Sequence, residues 1–254
     1  VSPERESEIT KPGRSKPQRA KLFGAAVETT KAEITKAERA NLERAKTHRL
    51  RTLTLSIFLA LGIVLVLPLS SASSQSRDSV AIQKAVDELY AEVRADSLNA
   101  QLRFELATAL HDADRKHEAL IHYDRAVSLV PNYGEALVNR GAVLNELGRI
   151  DEAIASFEKA LSVNPHDPKA LLNMGNSLYA LKKYDDAMER YELAVESDST
   201  FVEGYYYIGI AFADAGIYRE AIREWRKVIE ISPNSEVARN ARDNIEVLMV
   251  FLQQ

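Results

Sequence analysis

Residues 134–167 read GEALVNRGAVLNELGRIDEAIASFEKALSVNPHD, and this stretch decides the fold because its pattern recurs on both sides. Ala153 has a counterpart 34 residues earlier, Ala119, and others at the same interval later, Ala187 and Ala221. Ala160 repeats as Ala126, Ala194 and Val228, and Pro165 as Pro131, Ser199 and Pro233. Three columns sharing one period define a repeat array, whose core is built between neighbouring units rather than within one.

Each unit contains two runs with apolar residues at helical spacing, broken at Asp114, Gly148, Lys182 or Gly216. The pattern predicts two amphipathic helices joined by a tight turn, and glycine suits the cap of the first helix. Proline ends the second helix, because it has no N–H to donate and biases the preceding residue away from helix. The small residues Ala107, Gly141, Gly175 and Gly209, with the alanines of the second helix, allow close backbone approach. Tyr123, Phe157, Tyr191 and Trp225 then fill the space between units and are read as core.

These columns resemble the tetratricopeptide repeat family. Its 34-residue unit is matched by 100–133 (Leu106, Ala107, Leu110, Ala119, Tyr123, Ala126, Pro131) and 134–167 (Leu137, Gly141, Leu144, Ala153, Phe157, Ala160, Pro165). It is matched again by 168–201 (Leu171, Met174, Gly175, Leu178, Ala187, Tyr191, Ala194) and 202–235 (Tyr205, Ile208, Gly209, Phe212, Ala221, Trp225, Pro233). Arg103, Arg140, Ser199 and Val228 depart from the pattern. The resemblance implies an all-α, right-handed α-solenoid of four helix pairs that binds proteins and catalyses nothing.

Flanking helices are expected at both ends. Residues 80–99 are read as a capping helix, with Ala85 one period before Ala119. Residues 236–254 form a second cap, with Ala238, Ala241, Ile245 and Leu248 on one face. The apolar end of this helix, Leu248 to Leu252, leaves two readings open: a buried cap, or a contact with a partner or membrane.

Thr52–Ser76 contains no charged residue. Its apolar residues Leu53, Leu55, Ile57, Phe58, Leu59, Leu61, Ile63, Val64, Leu65, Val66 and Leu67 are read as one transmembrane helix over 52–72, since about 20 residues cross a bilayer. A linker, 73–79, follows. A cleaved secretory signal is the rival reading, with Ser70 and Ala72 as a small-residue cleavage site, but residues 1–51 make too long a leader. Those 51 residues hold 13 Lys+Arg against 7 Asp+Glu, and Arg44, Lys46, Arg49 and Arg51 lie just before the apolar run. The positive-inside rule then predicts a single-pass protein of a bacterial inner membrane, N-terminus cytoplasmic and repeats periplasmic. An organelle outer-membrane receptor is the alternative. Val1–Arg19 is proline-containing and charged and is expected to be disordered alone, and Ala25–Arg51 reads as a solvated or membrane-surface helix that either sets topology or docks a partner or lipid.

The chain has no cysteine, which excludes disulfides and thiolate chemistry. His117 and His122 are five apart, off the i, i+4 spacing of a helical metal pair, and no phosphate loop or nucleophile motif is present. No cofactor, metal or small-molecule substrate is implied. Residues 52–254 hold 20 Lys+Arg against 30 Asp+Glu, the wrong sign for nucleic acid.

The family resemblance implies that first-helix residues line a concave groove. Among these, Asn139, Asn173 and Asn176 form an amide row suited to a peptide backbone, with Lys169 beside it. Tyr179, Tyr206 and Tyr207 add aromatic surface of the kind enriched at interfaces. Glu105, Asp112, Glu135, Glu146, Glu203 and Asp214 make the groove acidic, which favours a neutral or basic partner segment. Alternatively, the groove is solvated or filled by the C-terminal helix. Two functional readings follow: an assembly subunit of an integral membrane complex, in contact with its other subunits and the lipid bilayer, or a membrane-tethered receptor for peptides or client proteins.

Overall fold

The computed structural model describes residues 21–30 and 71–252, and all their regular secondary structure is helical. Helix α1 covers residues 21–30. The remaining helices are α2 (Ser71–Ala95), α3 (Ala100–Asp112), α4 (Lys116–Leu129), α5 (Gly134–Glu146), α6 (Ile150–Val163), α7 (Pro168–Ala180), α8 (Tyr184–Ser197), α9 (Val202–Asp214), α10 (Tyr218–Ile231) and α11 (Glu236–Leu252). Pairs α3–α4, α5–α6, α7–α8 and α9–α10 are antiparallel hairpins that stack in chain order.

The four breaks share one backbone solution. Asp114, Gly148, Lys182 and Gly216 all have positive φ, at 57°, 74°, 61° and 74°. The next amide in each unit bonds back into the first helix: Arg115 N to Leu110 O at 2.8 Å, and Arg149, Lys183 and Ile217 to Leu144, Leu178 and Phe212, each at 2.9 Å. Together with bonds such as Asp114 N to His111 O, this is the Schellman arrangement, which satisfies the last carbonyls of the helix. Asp114 and Lys182 adopt it without being glycine, at a cost of roughly 1–2 kcal/mol each.

Helix starts are capped where the sequence provides an acceptor. Asn99 accepts from the amides of Gln101 and Leu102, and Asp167 from those of Lys169 and Ala170, just before Pro168 at the first helical position. Val130 and Asn164, before Pro131 and Pro165, are extended. Asp198 is extended too, although Ser199 follows it, so the array maintains this exit without the proline.

The aromatic column explains the small column. A Cβ on Gly141 would stand inside contact distance of the Phe157 ring, one on Gly175 would be 2.5 Å from Tyr191 Cε1, and one on Gly209 would be 2.5 Å from Trp225 Cδ1. Phe157, Tyr191 and Trp225 are all buried, as is Tyr123 in the first unit. The two arginine departures are accommodated by partners. Arg140 donates to Asp124 Oδ1 at 2.6 Å and to the Ser156 hydroxyl, and Arg103 reaches the Ser97 carbonyl and His122.

The Arg103–His122 contact has a pH consequence. Arg103 Nη1 lies 3.2 Å from His122 Nδ1. A guanidinium can only donate, so Nδ1 accepts and the ring is neutral, with its proton on Nε2. Burial, then the Arg103 charge, lowers the His122 pKa against the opposing pull of Glu118. The unfolded histidine therefore binds the extra proton, and stability present above about pH 6.5 declines as pH falls through that value. The melting midpoint is expected to drop between about pH 7.5 and 5, above the range where carboxylates titrate, and His122→Gln is expected to flatten the drop. An undiminished slope in the variant would refute this assignment.

Both ends of the array are covered. Val86 and Val93 of α2 are buried against the first unit, while Ala85 is exposed, one residue out of the expected register. A second helix buries that alanine against its own first helix, and among the described residues α2 has none. The expected linker 73–79 lies inside α2, consistent with a stretch free of proline and glycine. At the other end, Ala238, Ala241 and Leu248 of α11 are buried on α10, whereas Val247, Met249 and Leu252 remain exposed.

The N-terminal region departs most from expectation. Helix α1 is not solvated: Phe23, Ala26, Val27 and Thr30 are at most 5% exposed. Their i, i+3, i+4, i+7 spacing forms an apolar stripe, and Phe23 meets Phe212 edge-on at 5.7 Å between ring centroids. Residues packed together share a compartment, so a single span between Phe23 and the repeats cannot place them on opposite sides of a membrane. Among the described residues no helix is long and apolar enough to cross a membrane. The predicted localisation, N-terminus cytoplasmic and repeats periplasmic in a bacterial inner membrane, is thereby corrected. The span residues Leu53–Leu67 and the basic residues Arg44, Lys46, Arg49 and Arg51 lie outside the described residues, as does Val1–Arg19.

Candidate protein-interaction site

The candidate residues come from three consecutive first helices. Asn139 lies on α5, Lys169, Asn173, Asn176 and Tyr179 on α7, and Tyr206 and Tyr207 on α9. First helices of successive units touch one another, so these side chains share one face of the array.

That face is tied together between units. Tyr179 donates its hydroxyl to Asp214 Oδ2 at 2.7 Å, joining the ends of α7 and α9. Burial, then the Asp214 carboxylate, pushes the Tyr179 pKa far above the usual phenol range, so it serves as a donor at neutral pH. Asn145 and the buried Ser177 exchange hydrogen bonds at 2.8 and 3.0 Å and link α5 to α7.

The amide row is partly engaged inside the protein. Asn139 hydrogen-bonds the buried Tyr123 hydroxyl, which also lies 3.0 Å from Thr108 Oγ1. Tyr191 donates to Asn176 Oδ1 at 2.8 Å. Asn173 makes no side-chain hydrogen bond among the described residues, and Lys169 is exposed. Each carboxamide offers both a donor and an acceptor, so Asn139 and Asn176 retain capacity on their outer side, and their inner bonds fix their orientation.

Tyr206 and Tyr207 form one aromatic set with the core behind them. Tyr207 stacks on Tyr191 at 6.1 Å, Tyr206 meets Tyr207 edge-on at 5.9 Å, and Tyr206 lies 6.3 Å from Trp225. Asn244 of α11 donates to the Tyr206 hydroxyl at 3.2 Å, so the C-terminal helix meets this end of the face. The contact partners of α11 are α10 and α9, in the same order as a further first helix would have.

The acidity is unevenly compensated. Glu146 receives His111 Nε2 at 2.9 Å and Lys116 Nζ at 3.2 Å, whereas Asp112 and Glu135 are exposed. Among the described residues no group of three or more His, Asp or Glu is placed to hold a metal ion.

The family profile for the tetratricopeptide repeat matches residues 144–202, and a second profile of that description matches 203–235. Tetratricopeptide repeats are thus matched over residues 144–235. Three solved structures place the array among others of its kind. The crystal structure of MamA superposes with a TM-score of 0.54 at 20% identity, covering 66% of this chain and 96% of that one. A tetratricopeptide repeat protein from Parabacteroides merdae ATCC 43184 gives 0.56 at 25% identity, covering 70% and 71%. YrrB, described as a tetratricopeptide repeat protein with an unusual peptide-binding site, gives 0.50 at 20% identity, covering 69% and 87%. No curated protein matches the sequence significantly. At these identities the likeness establishes the solenoid fold, and fold by itself does not name a function.

Two features of the site were not anticipated from sequence. The Tyr179–Asp214 link joins residues 35 apart, so it follows from repeat stacking and carries no local signal. The docking of α1 did carry one, in the spacing of Phe23, Ala26, Val27 and Thr30, but the many charges around it made it read as solvated.

Proposed function

We propose that this repeat array captures an extended, neutral or basic segment of a partner protein along its first-helix face, centred between the third and fourth units. The observation that carries the reading is the clustering there of Asn173, Asn176, Tyr179, Tyr206 and Tyr207, with the Asn176 amide held in place by the buried Tyr191 hydroxyl. Oriented amides satisfy a peptide backbone, rigid aromatic rings supply contact area with few rotors, and the carboxylates bias the choice of charge. The membrane-complex subunit reading is favoured by candidate contact surfaces on both sides of a bilayer and within it, and the packing of Phe23 on Phe212 weakens that support.

An arrayed library of extended peptides of defined charge tests the proposal. Neutral and basic peptides are expected to bind, with affinity falling as salt is raised. Asn173→Ala combined with Tyr206→Ala is expected to weaken the best binder by at least about tenfold, the scale of a lost interface anchor. Preference for acidic peptides, or binding indifferent to both substitutions in a folded protein, would overturn it.

A further inference from the structure

A second surface of this array is covered by helix α1. Helix α1 lies over the turns inside the third and fourth repeats, beside the tyrosine end of the amide and tyrosine cluster. Phe23 packs edge-on to Phe212 of α9, and Thr30 Oγ1 donates to the carbonyl of Ala215 at 2.9 Å. Ala215 and Ile217 are fully buried. On its other side α1 places Gly24, Ala25 and Glu28 beside Lys182, Tyr184 and Asp185, which with Phe212, Ala215 and Ile217 form the cleft that holds it.

The fit is specific. A Cβ on residue 24 would collide with Asp185 Oδ1, so glycine follows the anchoring aromatic residue. The next two contact positions take the small Ala26 and the branched Val27, both with no exposed surface, and Thr30 closes the stripe one turn later. The site therefore recognises a short amphipathic helix of defined pattern: aromatic, glycine, any, small, β-branched, then threonine three residues on.

Several features make this docking reversible rather than permanent. Ordering the segment on the array opposes binding. Lys182, in the wall of the cleft, has φ of 61°, a conformation that L residues avoid. Asp185 Oδ1 is buried against Gly24 of α1. Burial raises the Asp185 pKa, opposed by the Gly24 amide and by the charge of Lys21.

We propose that the cleft over the third and fourth intra-repeat turns is a second, helix-specific protein-binding site, and that residues 21–30 occupy it as an internal, displaceable ligand. The site does not depend on the peptide reading of the first-helix face, but it shares a wall with it. Tyr184 lines the cleft and meets Tyr179 at 5.0 Å, and α1 contacts Phe212 and Ala215, which flank the Asp214 that accepts from Tyr179. Release of α1 therefore loosens the link between α7 and α9.

The test uses the full chain and a fluorescein-labelled synthetic peptide of residues 19–32. Phe23→Asp with Val27→Asp expels the internal helix while leaving the cleft intact. This variant is expected to bind the peptide at one to one, at least about tenfold more tightly than the unaltered chain. The same peptide carrying Val27→Asp is expected not to bind. Peptide binding equal in variant and unaltered chain, or none in a variant that keeps its helical circular dichroism and cooperative melt, would overturn the proposal. Should the variant fail to fold, hydrogen exchange on the unaltered chain decides. Excess unlabelled peptide must accelerate exchange of the amides of residues 21–30, and unchanged protection overturns the proposal.

Discussion

Phe157→Ala is expected to cost about 3–5 kcal/mol, the range for deleting a fully buried aromatic side chain. Phe157 has no exposed surface, and its ring presses on Gly141 of the preceding helix, the position in its repeat where no side chain can stand. Neither backbone can collapse into the space, since the hairpin is fixed at one end by the Gly148 turn and at its outer faces by neighbouring units. Repeat arrays are stabilised by unit terms and by interfaces between neighbours, so damage to an interior unit weakens two interfaces. Urea denaturation is expected to show a lower midpoint and a shallower slope as cooperativity breaks. Hydrogen exchange should place the loosening in α5 and α6. A loss below about 1 kcal/mol would mean that the site repacks, and that the aromatic column is not the spacer between helices.

Gly209→Val tests the same contact from the opposite side, by overfilling. Its Cβ would stand 2.5 Å from Trp225 Cδ1 and closer still to Nε1, which donates to the Tyr206 carbonyl at 3.0 Å. The indole must move or the helices must part. Strain of about 1–3 kcal/mol is expected, with a further 1–3 kcal/mol if the indole N–H is left buried and unpaired. Removing a helical glycine returns roughly 0.5–1 kcal/mol, too little to cancel the loss. Trp225 is the single tryptophan, so its emission reports on this site alone. A red shift and a lowered melting point are expected, with faster proteolysis in α11, which packs on α10. Unchanged emission and melting would show that the indole has room the packing denies.

Both predictions rest on columns legible in the sequence. The turn residues Asp114, Gly148, Lys182 and Gly216 stand one period apart, and all four adopt positive φ. The aromatic and small columns could be read because each repeat imposes the same packing on the same position, so the signal is restated in every unit. Single residues without a column were harder to place. Ala85 matches the alanine column in spacing yet is exposed, and among the described residues no first helix pairs with α2 to bury it. Arg103 and Arg140 looked like defects, and only their partners His122, Ser97, Asp124 and Ser156, all brought near by folding, show how they are accommodated.

By itself the sequence determined the helix pairs, their turns and their core, since period, small residues and breakers are local or repeated and need no knowledge of distant contacts. It also supplied the candidate partner-binding residues, as positions on first helices. Only the tertiary structure decided how those residues are held: Asn139 and Asn176 oriented by buried tyrosines, and Tyr179 bound to Asp214 of the next repeat. Only the tertiary structure placed residues 21–30 on the third and fourth repeats and so removed the expected division of the chain across a membrane. Such contacts join segments far apart in sequence, and which apolar stripe meets which cleft depends on shape complementarity that composition and spacing do not record.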